Sequence, residues 1–458
     1  LKLPKWAPWA YLGAFFLCGA ALLFFAAGMP FIAALVSSLL LTAALWGAAW
    51  LLCPLGRGYP RLFGVCAALG AVLLLGRIPF FPVATSDYLD FLAPWTERLR
   101  SLGGFAGLGQ EVGNYNVPYM VLLALFSYVD APPLPFIKLV STLTDLLLAL
   151  TCARLVYRLG GRGERALISF VLTLLLPTVF INSALWGQCD SVYVSLALLG
   201  LLLCLEDRPG RGMAVFGLSF AIKLQAIFIL PTVAVLLLMK KVKWYHLPLF
   251  PAAYLLAVSP AILAGRSIGD TLLFYLNTAE SAGSSLNYNS PSLFSLYRFY
   301  WMDEAAQAAA GRAGILAAGA AVLAVLILCL VRRKHLDERG CFYASLFFCL
   351  AIPLLLPHMH DRYFYYVDAM TLVLACLLPW LTPAVLLSQF ASLLGYHAYF
   401  FMRYLLPMKL GFYGLAAVCV CVLLLFLTSL AGFCPPRQKR PSEPLSCRRR
   451  TASGGGDE

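Results

Sequence analysis

The stretch YLGAFFLCGAALLFFAAG, residues Tyr11 to Gly28, decides the fold class: it is 18 residues long, holds no charge, and runs through Gly28-Met29-Pro30 into a second apolar run, Phe31 to Leu52. About 20 apolar residues in a helix cross a hydrocarbon layer of about 30 Å. The first run is too long for the core of a cleaved signal and leads straight into another, so both read as membrane spans. Further runs of that kind, Leu247 to Leu263 and Ala313 to Val331, occur later in the chain. Of the 458 residues, 61% are apolar and 12% charged, and the mean hydropathy is +0.83, a balance that excludes a water-soluble globular domain.

The net charge of +13 would suggest a nucleic-acid partner in a soluble protein, but here the basic residues stand in short clusters between apolar runs. That is a topology signal, and no nucleic acid is expected. With Lys2 and Lys5 placed inside, helices near 8–28, 31–53 and 62–80 put Arg57 and Arg61 inside and the segment 81–136 outside. Pro118 to Tyr128 is too short to span and is expected to be an interfacial or re-entrant helix on the outer side. Were it to span, Arg154, Arg158, Arg162 and Arg165 would all fall outside. Helices near 137–157, 165–181 and 190–206 follow, then a short pair near 212–222 and 224–240 that meets at Lys223. Arg208, Arg211, Lys240, Lys241 and Lys243 fall inside. A helix near 247–264, a late outer loop at 265–312 and helices near 313–331, 339–357, 363–380, 383–402 and 408–432 complete the reading. Arg332, Arg333 and Lys334 then lie inside. The expectation is an all-α polytopic membrane protein with about 12–14 transmembrane helices and short interfacial helices in the first large outer loop. Residues 1–61 supply two extra helices, 62–264 the main module, 313–433 the C-terminal spans and 434–458 a disordered basic tail on the inner side. The 14 cysteines lie mostly inside apolar runs with no recurring metal-ligand spacing, so no disulfide framework, metal or cofactor is expected.

This topology gathers the unusual polar residues on the outer side, where ionisable groups near hydrocarbon are functional candidates. Asp87 opens the first outer loop, and a carboxylate there suits general-base activation of an acceptor hydroxyl; a solvated helix cap is the competing reading. Asp90, one turn on, reads as a supporting acid. Trp186-Gly187-Gln188-Cys189-Asp190, preceded by Asn182, combines an aromatic plate, an amide and an acid, as a sugar ring requires; an interfacial tryptophan followed by a capping aspartate would explain the same residues. His358, His360, Asp361, Arg362 and Tyr363 form the densest polar knot. His-x-His-Asp alone is a weak metal pattern, and the reading adopted is neutralisation of a lipid phosphate. Lys223 and Gln225 interrupt an apolar stretch, and a buried lysine needs an anion, unless it snorkels to the interface. Tyr288, Asn289 and Arg298 could line a cleft.

These residues resemble the GT-C superfamily of integral membrane glycosyltransferases, above all bacterial relatives of the GPI second-mannose transferase (PIG-V type). The resemblance rests on Asp87 with Phe91, Pro94 and Trp95, on Asn114-Tyr115-Asn116 before Pro118-Tyr119, on Asn182 through Asp190, on Lys223-Leu224-Gln225 with Pro231, and on His360 through Phe364, across roughly residues 62–400. It implies a polyprenyl- or dolichyl-phosphate-linked sugar donor, mannose foremost, an unidentified hydroxyl acceptor, and transfer at the extracytoplasmic face. It assigns Asp87 as the catalytic acid of the first outer loop and Tyr115 and Asn116 to the substrate site. The absence of an Asn-x-Ser/Thr sequon favours a bacterial plasma membrane. A transporter or lipid flippase would use similar polar clusters, but such proteins usually carry repeats with midplane sites, and no repeat is evident. A GT-C transferase of another sugar fits the sequence equally well, because a single hydroxyl contact can decide sugar identity.

Overall fold

The computed structural model describes residues 7–279, 285–297 and 302–432; Lys2, Lys5, Arg298 and the expected tail at 434–458 lie outside them. The chain is almost wholly helical. Among the described residues, nine helices are long and apolar enough to cross a membrane, and Gly163–Leu175 with Pro177–Trp186 makes up to ten as a pair bent by 51°. Pro177 lacks the N–H that would continue the helical ladder, and the chain goes on as a π-helical turn, Ile181–Trp186.

The expected number of spans is larger because several legs between the two ends are short: Asp190–Leu205, Pro209–Ile222, Leu224–Leu238 and Tyr365–Leu377. Sixteen residues rise only about 24 Å. The first of these legs, Asp190–Leu205, is mostly buried, so neighbouring helices rather than lipid set the length it needs.

Side-chain ties fix the direction of each leg. At one end, Arg154 donates to both oxygens of Glu206 at 2.7 and 2.9 Å, Arg158 donates to Glu338 at 3.0 Å, and Lys241 bridges Asp207 and Glu338 at 2.7 and 3.1 Å. At the other end of the helix Leu134–Gly160, Lys138 donates to the carbonyls of Phe80 and Val83 at 2.9 and 2.6 Å. The Ser141 hydroxyl donates to the Gln188 carbonyl at 2.8 Å. The segment before Asp87 and the segment after Trp186 are therefore pinned to one helix. Below them, buried Arg77 and Asp145 pair at 3.3 Å, and Ser183 donates to the same carboxylate.

The expected interfacial helix is present as Val117–Phe126, capped where Asn116 Oδ1 accepts from the Val117 N–H at 2.8 Å. It is tucked inward against the protein. Tyr119, Met120, Leu123 and Ala124 are buried, and the helix packs against Ala93–Ser101 and Leu249–Leu263. A loop this apolar is better sheltered by protein than by the interface. The late loop is drawn back onto the bundle by a two-stranded parallel ribbon that pairs Asn287 with Met359 and Tyr288 with His360.

Candidate active site

Segments far apart in sequence meet in one cavity of about 500 Å³ at the end opposite the Arg154–Glu206 cluster. The site is built outward from Gly187. Its φ of +78° lies where a glycine is favoured, and it turns the chain out of the π-helical segment. The Gln188 N–H then returns to the Asn182 carbonyl at 2.9 Å, and Asp190 opens the next helix.

That turn aims two donors at one carboxylate oxygen. Trp186 Nε1 and Gln188 Nε2 donate to Asp87 Oδ2 at 2.9 and 2.5 Å, and Arg362 Nη1 stands 3.7 Å from the same atom. Among the described residues, no hydrogen bond engages Oδ1. The Asp87 N–H donates to the Tyr399 hydroxyl at 3.0 Å, and the Tyr399 ring stacks on Trp186 at 4.0 Å. Asp87 is therefore held through both its backbone and its side chain.

A second centre sits behind the first. Asp190 is fully buried; it accepts from Lys223 Nζ at 2.7 Å and from Asn182 Nδ2 at 3.0 Å, and Arg362 Nε lies 3.4 Å away. Lys223 stands at the break between its two short helices and faces the rings of Tyr115, Tyr193 and Tyr363 at 6.0, 5.5 and 5.9 Å. Arg362 touches three carboxylates: Asp87, Asp190 and, at 3.5 Å, Asp361. Burial pushes the Asp361 carboxyl up to about 7, against the opposing pull of Arg362 and with help from the charges of Asp87 and Asp190. Burial, then Arg362 and Lys223, push His360 down to about 3. Its ring stacks on Tyr288 at 4.6 Å.

Of the residues singled out in the sequence, Asp87, Tyr115, Asn116, Gln188, Lys223, Gln225, Tyr288, Asn289, His360, Asp361, Arg362 and Tyr363 line this cavity. The others are placed differently. Trp186 is 1% exposed, with Tyr399 against its face and its N–H on Asp87, so it offers no plate to a sugar. Asn182 and Asp190 are fully buried and face each other and the cations rather than the cavity. Asp90 is exposed and outside the lining: the chain from Tyr88 to Leu92 is a π-helix, whose wider turn leaves a residue three positions on short of a full turn and off the face that Asp87 occupies. His358 turns away at φ +61°, its Nδ1 bonded at 2.8 Å to the Ser285 carbonyl, where it fastens the late loop. His360, whose ring stands in the cavity wall against Tyr288, is held neutral by burial and so lacks the expected positive charge. Asn114, quoted in the sequence only as part of the Asn114-Tyr115-Asn116 motif, lines the cavity as well, and Tyr399 and Tyr275 also line it and were missed. Tyr399 lies in an apolar helix where one more aromatic residue carries no signal.

A family model described as "Glycosyltransferase family 87" matches residues 114–357, over half of the chain. No curated protein gives a significant match. The matched segment contains the Trp186–Asp190 turn, Lys223 and the Asn287–Asn289 ribbon, and ends just before His358. The family is not the second-mannose transferase family that the resemblance singled out, but both are of GT-C type. The chain belongs to glycosyltransferase family 87, a GT-C-type family of membrane glycosyltransferases.

Proposed function

We propose that the protein moves a sugar, mannose foremost, from a polyprenyl-phosphate donor to an acceptor hydroxyl at the extracytoplasmic face, with Asp87 as general base. The observation that carries this reading is the asymmetry of Asp87. Donors converge on Oδ2 and fix the plane of the carboxylate, while Oδ1 is left unengaged beside the cavity. In the proposed step the acceptor hydroxyl gives its proton to Oδ1 as its oxygen bonds to the anomeric carbon. The bond from that carbon to the phosphate oxygen breaks, and its electron pair leaves with the polyprenyl phosphate. Arg362 and Lys223 are the cations within reach of that leaving group, with His360 as a neutral hydrogen-bonding neighbour. Both cations already serve Asp190, so the phosphate shares them instead of meeting free charges.

The extracytoplasmic assignment follows from the charge bias. Arg154, Arg158, Lys241 and their neighbours gather at the opposite end, which the positive-inside rule places in the cytoplasm. The test is Asp87→Asn, which keeps the shape and an acceptor for Trp186 and Gln188 but removes the base. Purified variant offered labelled polyprenyl-phosphate-mannose should bind the lipid and transfer about 10²–10⁴-fold more slowly. Wild-type turnover would remove Asp87 from the role. Mass spectrometry of products from mannose, glucose and arabinose donors identifies the sugar.

A further inference from the structure

At the end of the bundle opposite Asp87, a second cavity of about 610 Å³ opens between the helices Phe31–Gly56 and Leu134–Gly160 and the turn after Leu205. One side of it is polar. Arg154 and Arg158 face it, and each is already matched by an acid, Glu206 and Glu338 respectively. Two other cations at this end are matched in the same way: Lys241 is paired with Asp207, and Arg162 lies 3.9 Å from Glu164. Arg57 and Arg208 break it. Both line the cavity, both are exposed, and neither guanidinium group has a hydrogen bond or ion pair among the described residues.

The other side of the cavity is apolar. Trp50 stands there 70% exposed, with Leu51, Pro54 and Leu55, all on the last turns of a membrane-spanning helix. Arg208 also immediately precedes the 14-residue helix Pro209–Ile222, whose N-terminal end favours an anion. A charge bias for topology needs basic residues on one side of the membrane; it does not need two uncommitted guanidinium groups facing a hollow with a tryptophan at its apolar rim. Guanidinium groups suit phosphate oxygens, and an exposed tryptophan suits the boundary between headgroups and acyl chains.

We infer that this cavity binds the phosphate of an anionic membrane phospholipid between Arg57 and Arg208, with the acyl chains lying along Trp50 and Leu51. The site belongs to the leaflet opposite the catalytic cavity and does not depend on the reaction proposed above.

Delipidated full-length protein in detergent would be titrated with phosphatidylglycerol or with phosphatidylcholine of the same acyl chains, and the bound lipid counted by native mass spectrometry. Phosphatidylglycerol should bind in preference. At about 1 kcal/mol for each basic residue near anionic lipid, Arg57→Ala and Arg208→Ala should each weaken its binding about fivefold and the double variant about 25-fold. Phosphatidylcholine, whose phosphate is offset by its own choline cation, should lose less than about twofold, and that retained binding also reports that the variants are folded. Arg61→Ala, an exposed arginine at the same end outside the cavity lining, should leave both lipids unaffected. Equal binding of the two lipids by the wild type, wild-type retention of phosphatidylglycerol by the double variant, or an Arg61→Ala loss as large as that of Arg57→Ala would each overturn the site. Displacement of the lipid by millimolar inorganic phosphate would overturn its lipid identity and point to a free-anion site.

Discussion

Asp190→Asn separates the two centres of the candidate active site, because Asp190 stands outside the cavity lining. The carboxylate has no exposure to solvent, and the cations it serves, Lys223 and Arg362, retain 9% and 14% side-chain exposure. Removing one partner of a buried ion pair costs about 3–5 kcal/mol, because the remaining charge keeps its desolvation penalty and loses its compensation. The asparagine preserves volume, so this cost is electrostatic and not a packing defect. Two cations then compete for Asp87 and Asp361, and Arg362, already 3.7 Å from Asp87, is drawn further toward it. The expected result is a loss of about 3–5 kcal/mol in denaturant unfolding in lipid–detergent micelles, together with reduced turnover. Lys223→Met in the same background should recover part of the stability, with a coupling of about 1–3 kcal/mol. A variant within about 1 kcal/mol of wild type, or effects of the two substitutions that simply add, would refute the view that Asp190 neutralises this centre.

Other perturbations address the same geometry. Trp186→Phe keeps an aromatic ring for Tyr399 but removes the donor to Asp87 Oδ2; a hydrogen bond to a charged group is worth about 1.5–3 kcal/mol, so turnover should fall about 10–100-fold in a transfer assay. Gly187→Ala and Gly161→Ala impose similar strain, at φ +78° and +73°, and each should cost about 1–2 kcal/mol. Only Gly187→Ala should also lower activity, because it displaces Gln188 from Asp87. Thermal midpoints across pH should show opposed slopes. Asp361, raised to about 7, makes the folded chain hold an extra proton from about pH 4 to 7, so stability falls as pH rises through that window and Asp361→Asn abolishes the fall. His360, lowered to about 3, makes the unfolded chain the better proton binder between about pH 3 and 6.5, so its contribution is complete above that window and is lost on acidification; His360→Gln removes that loss.

The membrane class, the gathering of cations at one end and most of the cavity lining were legible because each leaves a local signature: apolar length for spans, cationic clusters for one end, and isolated polar residues near hydrocarbon for the other. The short buried legs were legible only as apolar runs, since nothing in their composition separates a helix facing lipid from one facing protein. For the same reason the Pro118–Tyr128 helix was legible only as interfacial or re-entrant, without a choice between the two. The ribbon that carries Tyr288 and Asn289 to His360 was not legible: two paired residues in each strand leave no period to read. Nor was Lys138, whose ammonium group secures the approach to Asp87 by donating to two backbone carbonyls that no side-chain pattern announces.

The Trp186–Asp190 block has a physical reason for being distinctive without touching the substrate space in full. A ligand contact at the cavity wall can be replaced by water, whereas a donor aimed at a shielded carboxylate cannot be lost without leaving a polar atom unpaired. Trp186 and Gln188 fix Asp87 from behind, and Asp190 fixes Lys223 and Arg362. Gly187 sets the turn that lets both jobs be done within five residues. Under the proposed function, a tryptophan, an amide and an acid packed this tightly form the frame that orients Asp87, and discrimination between sugars is then expected of the lining beyond it, with Tyr288, Asn289 and Gln225 the first to exchange when donor preference is tested.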